Sequence, residues 1–75
     1  MTLRQKTNLE ALQKVVATIQ PLKEHYQGVR LLEIAVEQCL HADEDFMLNA
    51  ALISANLICQ KVVDELDRVA NSGPS

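Results

Sequence analysis

The sequence contains few aromatic residues, few glycines and few prolines. Its 75 residues include no Trp, one Tyr, one Phe, two Gly and two Pro. Leu, Ile, Val and Ala supply most of the 48% apolar content, and this mixture suits interlocking helices better than sheets. The composition therefore predicts an all-α fold.

Long apolar runs and a strong net charge are also missing. No run approaches the roughly 20 apolar residues of a membrane span, and residues 1–20 lack the apolar core of a secretory signal. With 23% charged residues and a net charge of −3, the chain has the composition of a folded protein. We expect a cytoplasmic location and no contact with a membrane.

The two cysteines are placed too far apart to pair within one chain. If two helices turn back near residue 42, Cys39 and Cys59 lie ~20 Å apart along the axis, whereas a disulfide needs Cα atoms within roughly 7 Å. We predict two reduced core cysteines, with an intermolecular bridge as the alternative. His25 and His41 each stand alone, so we expect no metal site.

Catalytic and ligand-binding motifs are absent from the sequence. There is no glycine-rich phosphate loop and no nucleophile elbow, so we expect no enzyme activity and no cofactor. The acidic residues 43–45 lack the glycine and the distant Glu of a calcium loop, which favours a helix-capping cluster. The basic residues are scattered and no aromatic platform accompanies them, so a nucleic-acid-binding regulator is a less favoured alternative.

The apolar spacing predicts one helical domain over residues 1–75, with an N-terminal arm at 1–6 and a disordered tail at 71–75. It forms a three-helix bundle, monomeric or dimeric, with helices at about residues 8–19, 21–41 and 44–70. Thr7 and Glu10 resemble a capping box at the start of the first helix. That helix then carries one apolar stripe, formed by Leu9, Leu12, Val15, Val16 and Ile19.

Three further signals set the connections between helices. Pro21 either begins the second helix or kinks a continuous one, and Gly28 weakens the same region, so residues 20–28 are the predicted hinge. Asp43 is the predicted N-cap of the third helix. Gly73 and Pro74 are expected to end that helix.

The second and third helices carry more apolar surface than a hairpin can hide. The second is apolar around most of its circumference, at Leu31, Leu32, Ile34, Ala35, Val36, Cys39 and Leu40. The third has a broad core face, predicted at Ala51, Ala55, Ile58, Cys59, Val62, Val63, Leu66 and Val69. A second apolar line lies on a different side of the same helix, at Phe46, Ala50, Ile53 and Leu57.

Two interpretations of this surplus remain open. In the first, the first helix folds back and covers it, which completes a three-helix bundle. In the second, another protein chain or a second copy packs there, on Phe46, Ala50, Ile53 and Leu57 with help from Leu31 and Ala35. We favour the second, because domains this small need additional burial. The expected function is a small adaptor or regulatory binding protein.

Charge is divided unevenly along the chain. Residues 1–30 have a net charge of +3, whereas residues 31–75 have a net charge of −6. This complementarity favours folding of the first helix onto the others, and antiparallel association of two chains is the alternative.

The layout of a capped short helix followed by an apolar hairpin resembles the small co-chaperones of type III secretion needles, of the YscE kind. The resemblance spans about residues 9–69 and implies a cytoplasmic helper that joins a second chaperone to shield an aggregation-prone filament subunit. The segment from Met47 to Leu57 is also similar to the start of the coiled-coil helix in the ZapA cell-division family. The strands that precede that helix in the family have no counterpart in this chain.

Overall fold

The fold is a three-helix bundle, seen in a computed structural model that describes residues 1–72. Helix α1 spans Leu3–Ile19, a 3-10 turn follows at Gln20–Leu22, α2 spans Gln27–Leu40 and α3 spans Asp45–Asn71. The prediction of an all-α bundle with three helices is confirmed. Within the described residues the bundle measures 48 × 21 × 17 Å, so it is elongated along α3.

Helix α1 begins five residues earlier than predicted. Its N-cap is Thr2, whose hydroxyl accepts a hydrogen bond from the Gln5 amide while the Gln5 side chain accepts one from the Thr2 amide. The sequence holds two Thr-x-x-Glu/Gln patterns, and the predicted box at Thr7 is the wrong one of the two. Residues 3–6 are therefore helical, and the expected N-terminal arm at 1–6 is wrong.

Pro21 neither begins α2 nor kinks a continuous helix. It lies in the 3-10 turn that closes α1, where its missing amide hydrogen costs no helical bond. The chain then passes through residues 23–25, and Tyr26 adopts an extended conformation as the N-cap of α2. The predicted second helix at 21–41 therefore starts at Gln27, and the predicted hinge corresponds to the corner between α1 and α2.

The ends of α3 agree with the prediction to within about one residue. Its N-cap is Glu44 rather than the predicted Asp43, and no side chain caps it. Asn71 is still helical and Ser72 is the C-cap, so the expected tail at 71–75 begins inside the helix. The expected stop at Gly73 and Pro74 lies outside the described residues.

The core consists entirely of apolar side chains in the described part of the chain. All three helices contribute to it, and the predicted stripe of α1 is buried or partly buried as expected. In α3 the prediction omitted Leu48 and Leu52, which are buried, and included Val63 and Val69, which are largely exposed. The fully assembled core contains Leu9, Leu12, Ile19, Val29, Leu32, Ala35, Val36, Cys39, Leu48, Leu52, Ala55 and Val62.

Candidate protein-docking surface

A row of exposed apolar side chains runs along the first half of α3. Phe46 is 68% exposed, Ile53 is 63% exposed and Leu57 is 57% exposed, and Ala50 between them is also exposed. We call these four residues the outer stripe. Large apolar side chains standing alone on a surface are common, but three in one row, with Ala50 between them, form a patch.

The outer stripe lies on the side of α3 opposite the core. At about 100° per residue, its members fall at roughly 160° to 220° around the helix axis from the buried Ala55. The spacing of four, three and four residues keeps them in one line, which is the pattern of a helix seam. After Leu57 the same line continues with Gln60 and Asp64, so the stripe ends halfway along α3.

Helix α1 leaves the outer stripe uncovered because it packs on one flank of α3, where side-chain amides of the two helices meet. Asn8 and Asn56 exchange hydrogen bonds of 3.1 and 2.8 Å, and Gln5 Nε2 donates to Asn49 Oδ1 at 2.7 Å. Both α3 partners lie at about 100° to 120° from Ala55 around the axis. The interpretation in which α1 covers the second apolar line is therefore wrong.

An open apolar groove borders the outer stripe on its other flank. It has a volume of about 530 Å³ and lies between α3 and the C-terminal end of α2. The residues of α3 that line it are Phe46, Met47, Ala50, Ala51 and Ser54, and the remaining lining residues are Gln38, His41 and Ala42. The stripe and the groove thus form one surface on the face of the hairpin away from α1.

Helix α2 contributes only one of its two predicted docking residues. Leu31 is 50% exposed, and it lies seven residues before Gln38, so it shares the flank of α2 that lines the groove. Ala35 is only 5% exposed and belongs to the core, so its inclusion in the docking set is wrong. A small side chain at this position lies where the two helices pack together.

Two exposed apolar residues of this face were not included in the predicted docking set. Met47 lies in the groove and Ile34 lies beside the flank of Leu31. Met47 could have been found by its placement, since it is the neighbour of Ala50 and Ser54 on a helical net. Its exposure could not, because that depends on which flank α1 occupies.

Charged residues lie beyond both ends of the outer stripe. The acidic residues 43–45 lie at its N-terminal end and are exposed. Four exposed charged residues follow it on α3, where they line one shallow surface depression, namely Lys61, Asp64, Glu65 and Arg68. The stripe is therefore an apolar segment bounded by charge of both signs.

The two cysteines and His41 lie in or beside the packed parts of the bundle. Cys39 is buried, Cys59 is half-buried and both are free. Burial raises the pKa of both thiols, and for Cys39 a backbone hydrogen bond partly offsets the effect. At neutral pH this lowers the fraction of the nucleophilic thiolate. At the end of α2, His41 Nδ1 lies 2.9 Å from the Glu37 carbonyl oxygen, which also accepts a hydrogen bond from the His41 backbone amide.

The described residues contain no cluster of metal ligands, and α3 has the length and composition of a membrane span. Within residues 1–72, no group of three His, Cys, Asp or Glu side chains is placed to hold a metal ion. Helix α3 is long and apolar enough to cross a membrane by length and composition, with a mean hydropathy of 1.5 over its most apolar 18 residues. Its apolar residues do not form one unbroken run, because Asn49 and Asn56 interrupt them. A mostly buried core helix of a soluble protein has a similar length and composition, but only 22% of this segment of α3 is buried.

Comparison with protein-family models, curated proteins and solved structures finds no match to this chain.

Proposed function

We propose that this protein is a non-enzymatic interaction module that packs the outer stripe of α3 onto another protein chain or a second copy. The exposure of Phe46, Ile53 and Leu57 in a single row supports the proposal most directly. A partner that covers this row removes apolar surface from water, and each Å² of apolar surface buried contributes roughly 25 cal/mol of favourable free energy. A domain of 75 residues has few other sources of additional stability.

The composition of the surface also supports protein binding. Interface centres are rich in aromatic and large aliphatic residues and poor in charge, and the polar residues lie at the rim. The outer stripe has one aromatic and two large aliphatic anchors, and its charged residues lie beyond its ends. Phe46 and Ile53 are the most exposed of the three, so they have the most apolar area to bury, and Leu57 follows closely.

The test replaces Ile53, at the centre of the stripe, with a charged residue. The Ile53→Asp variant should lose at least tenfold in affinity for its partner, because a carboxylate at the centre of an apolar interface loses its hydration, and the exposed Arg4 that lines the same surface depression as Ile53 offsets this cost only in part. Its helical circular dichroism should remain close to that of the parent chain, since Ile53 faces solvent. Tagged chains purified from the native host, with bound proteins identified by mass spectrometry, provide the measurement.

Leu3→Asp is the matched control. Leu3 is exposed in the first turn of α1, and its replacement makes the same change in charge and polarity at a residue outside the stripe. Partners lost with Ile53→Asp and kept with Leu3→Asp support the proposal. Unfolding of Ile53→Asp would instead mean that the stripe is internal, and unchanged binding of both variants would contradict a docking role.

A further inference from the structure

We infer that the occupant of the outer stripe is a second copy of this chain, with the two α3 helices antiparallel and related by a two-fold axis between Ala50 and Ile53. The inference rests on the proposed function and adds the partner and its orientation. In a two-fold interface, residue i contacts residue j of the second copy and j contacts i. The stripe is therefore required to be complementary to its own reverse.

Side-chain sizes satisfy this requirement. Reversal about the axis places Phe46 opposite Leu57 of the second copy, and Ala50 opposite Ile53. The large residues at the two ends meet each other, and the small Ala50 receives the large Ile53 in each of the two central layers. Such alternation of small and large side chains fills a helix interface without voids.

The flank beside the groove follows the same pattern. Met47 and Ser54 lie at equivalent positions of successive heptads and line the groove. In the reversed arrangement, the long Met47 of one copy lies opposite the short Ser54 of the other. Met47 of each copy then covers the groove of the other copy. In a single chain, both Met47 and the groove are exposed to solvent.

The charges at the ends of the stripe favour this orientation. Reversal places Lys61 of one copy beside the acidic residues 43–45 of the other, twice per dimer. It also lets the remaining part of each α3, with Asp64 and Asp67, extend past the end of the second copy. In a parallel pair, each residue would instead face the same residue of the second copy. Ala50 opposite Ala50 would leave a void, and Asp64 opposite Asp64, like residues 43–45 opposite themselves, would place like charges together.

Lys61 and Asp43 provide a test that only the antiparallel dimer can pass. Within one chain they are separated by the length of α3 between them, about 25 Å at 1.5 Å per residue, and cannot form an ion pair. The measurement is sedimentation equilibrium at low salt, from about 1 μM to about 1 mM, the range in which a small interface associates. Lys61→Glu and Asp43→Lys should each weaken the dimer about tenfold, because two attractive pairs become repulsive. The double variant should recover to within about threefold of the parent chain.

Arg68→Glu is the matched control for Lys61→Glu. Arg68 lies on the same flank of α3 one heptad later, and reversing it makes the same change in net charge. Its position is beyond the end of the second copy, so dimerisation should change less than twofold. Denaturation of each variant at the lowest concentration identifies any effect on the monomer itself, such as a changed contact between residue 61 and Glu65.

Each other outcome contradicts the inference in a distinguishable way. A dimer without charge-reversal rescue would show that the orientation is wrong. A chain that stays monomeric to the highest concentration would show that the occupant is not a second copy. In that case, a different protein whose capture depends on Ile53 would leave the proposed function standing, whereas flotation of the monomer with phosphatidylcholine vesicles would assign the face to lipid. Flotation would therefore contradict both proposals, whereas capture of a different protein would contradict only the dimer.

Discussion

Gly28 shows at the level of a single residue how a weak helix former serves packing. It lies in the first turn of α2, where a Cβ atom would come within 2.9 Å of Val62 Cγ2 on α3. This is shorter than a van der Waals contact, and the branched side chain of Val62 has little freedom to rotate away. The absence of a side chain therefore allows the two helices to approach at this point.

Gly28→Ala should destabilise the protein by about 1 kcal/mol, although Ala is the better helix former. Urea denaturation of the two chains measures the difference. In a Val62→Ala background the clash is absent, so the same replacement should be neutral or stabilising. Stabilisation of the parent chain by Gly28→Ala would show that Gly28 is only a weak point in the helix.

Among the elements, α1 is attached to the hairpin in two ways that differ in strength. Leu9, Leu12 and Ile19 are buried against the other two helices. The amide pair between Asn8 and Asn56 lies at the exposed edge of the same contact. Buried apolar side chains should hold the helix, and the amide pair should fix which flank of α3 it occupies.

Leu12→Ala should therefore cost about 3 kcal/mol, a large share of the stability of a domain this small. Asn56→Ala should cost only about 1 kcal/mol, because water can replace an exposed hydrogen bond. Urea denaturation measures both losses, and hydrogen exchange of the α1 amides shows whether α1 detaches first. Equal losses in the two variants would contradict this division of roles.

At the scale of the whole molecule, the position of α1 decides which surface is left for binding. The hairpin of α2 and α3 has two apolar faces, and α1 occupies one of them. The other face carries the outer stripe and the groove, with Leu31 on the flank of α2. A three-helix bundle with one open face provides a site for a fourth helix, which a second α3 would supply in the proposed dimer.

The proposed dimer predicts a melting temperature that depends on protein concentration. Since only folded chains associate, mass action should raise the melting temperature by about 5 °C for each tenfold increase in concentration where the dimer predominates. Differential scanning calorimetry over a concentration series measures this. The Ile53→Asp variant should melt at one temperature throughout the series. A parent chain that also does so would argue against self-association.

The sequence by itself determined the helical class, the number of helices and the outer stripe. These depend on periodicity and composition, which are local properties of the chain. The regular spacing of Phe46, Ala50, Ile53 and Leu57 placed them in one line before any tertiary contact was known.

Only the tertiary structure decided between choices that are equal locally. Thr2 and Thr7 both begin a capping pattern, and the upstream one is used in a helix whose Gln5 also contacts Asn49 on α3. Ala35 looked as available as Leu31, and its burial depends on which flank of α2 faces α3. Whether α1 covers the outer stripe likewise depends on contacts between residues more than 40 positions apart, such as Asn8 and Asn56. Periodicity gives the direction of a side chain around its own helix, but burial depends on where the other helices lie.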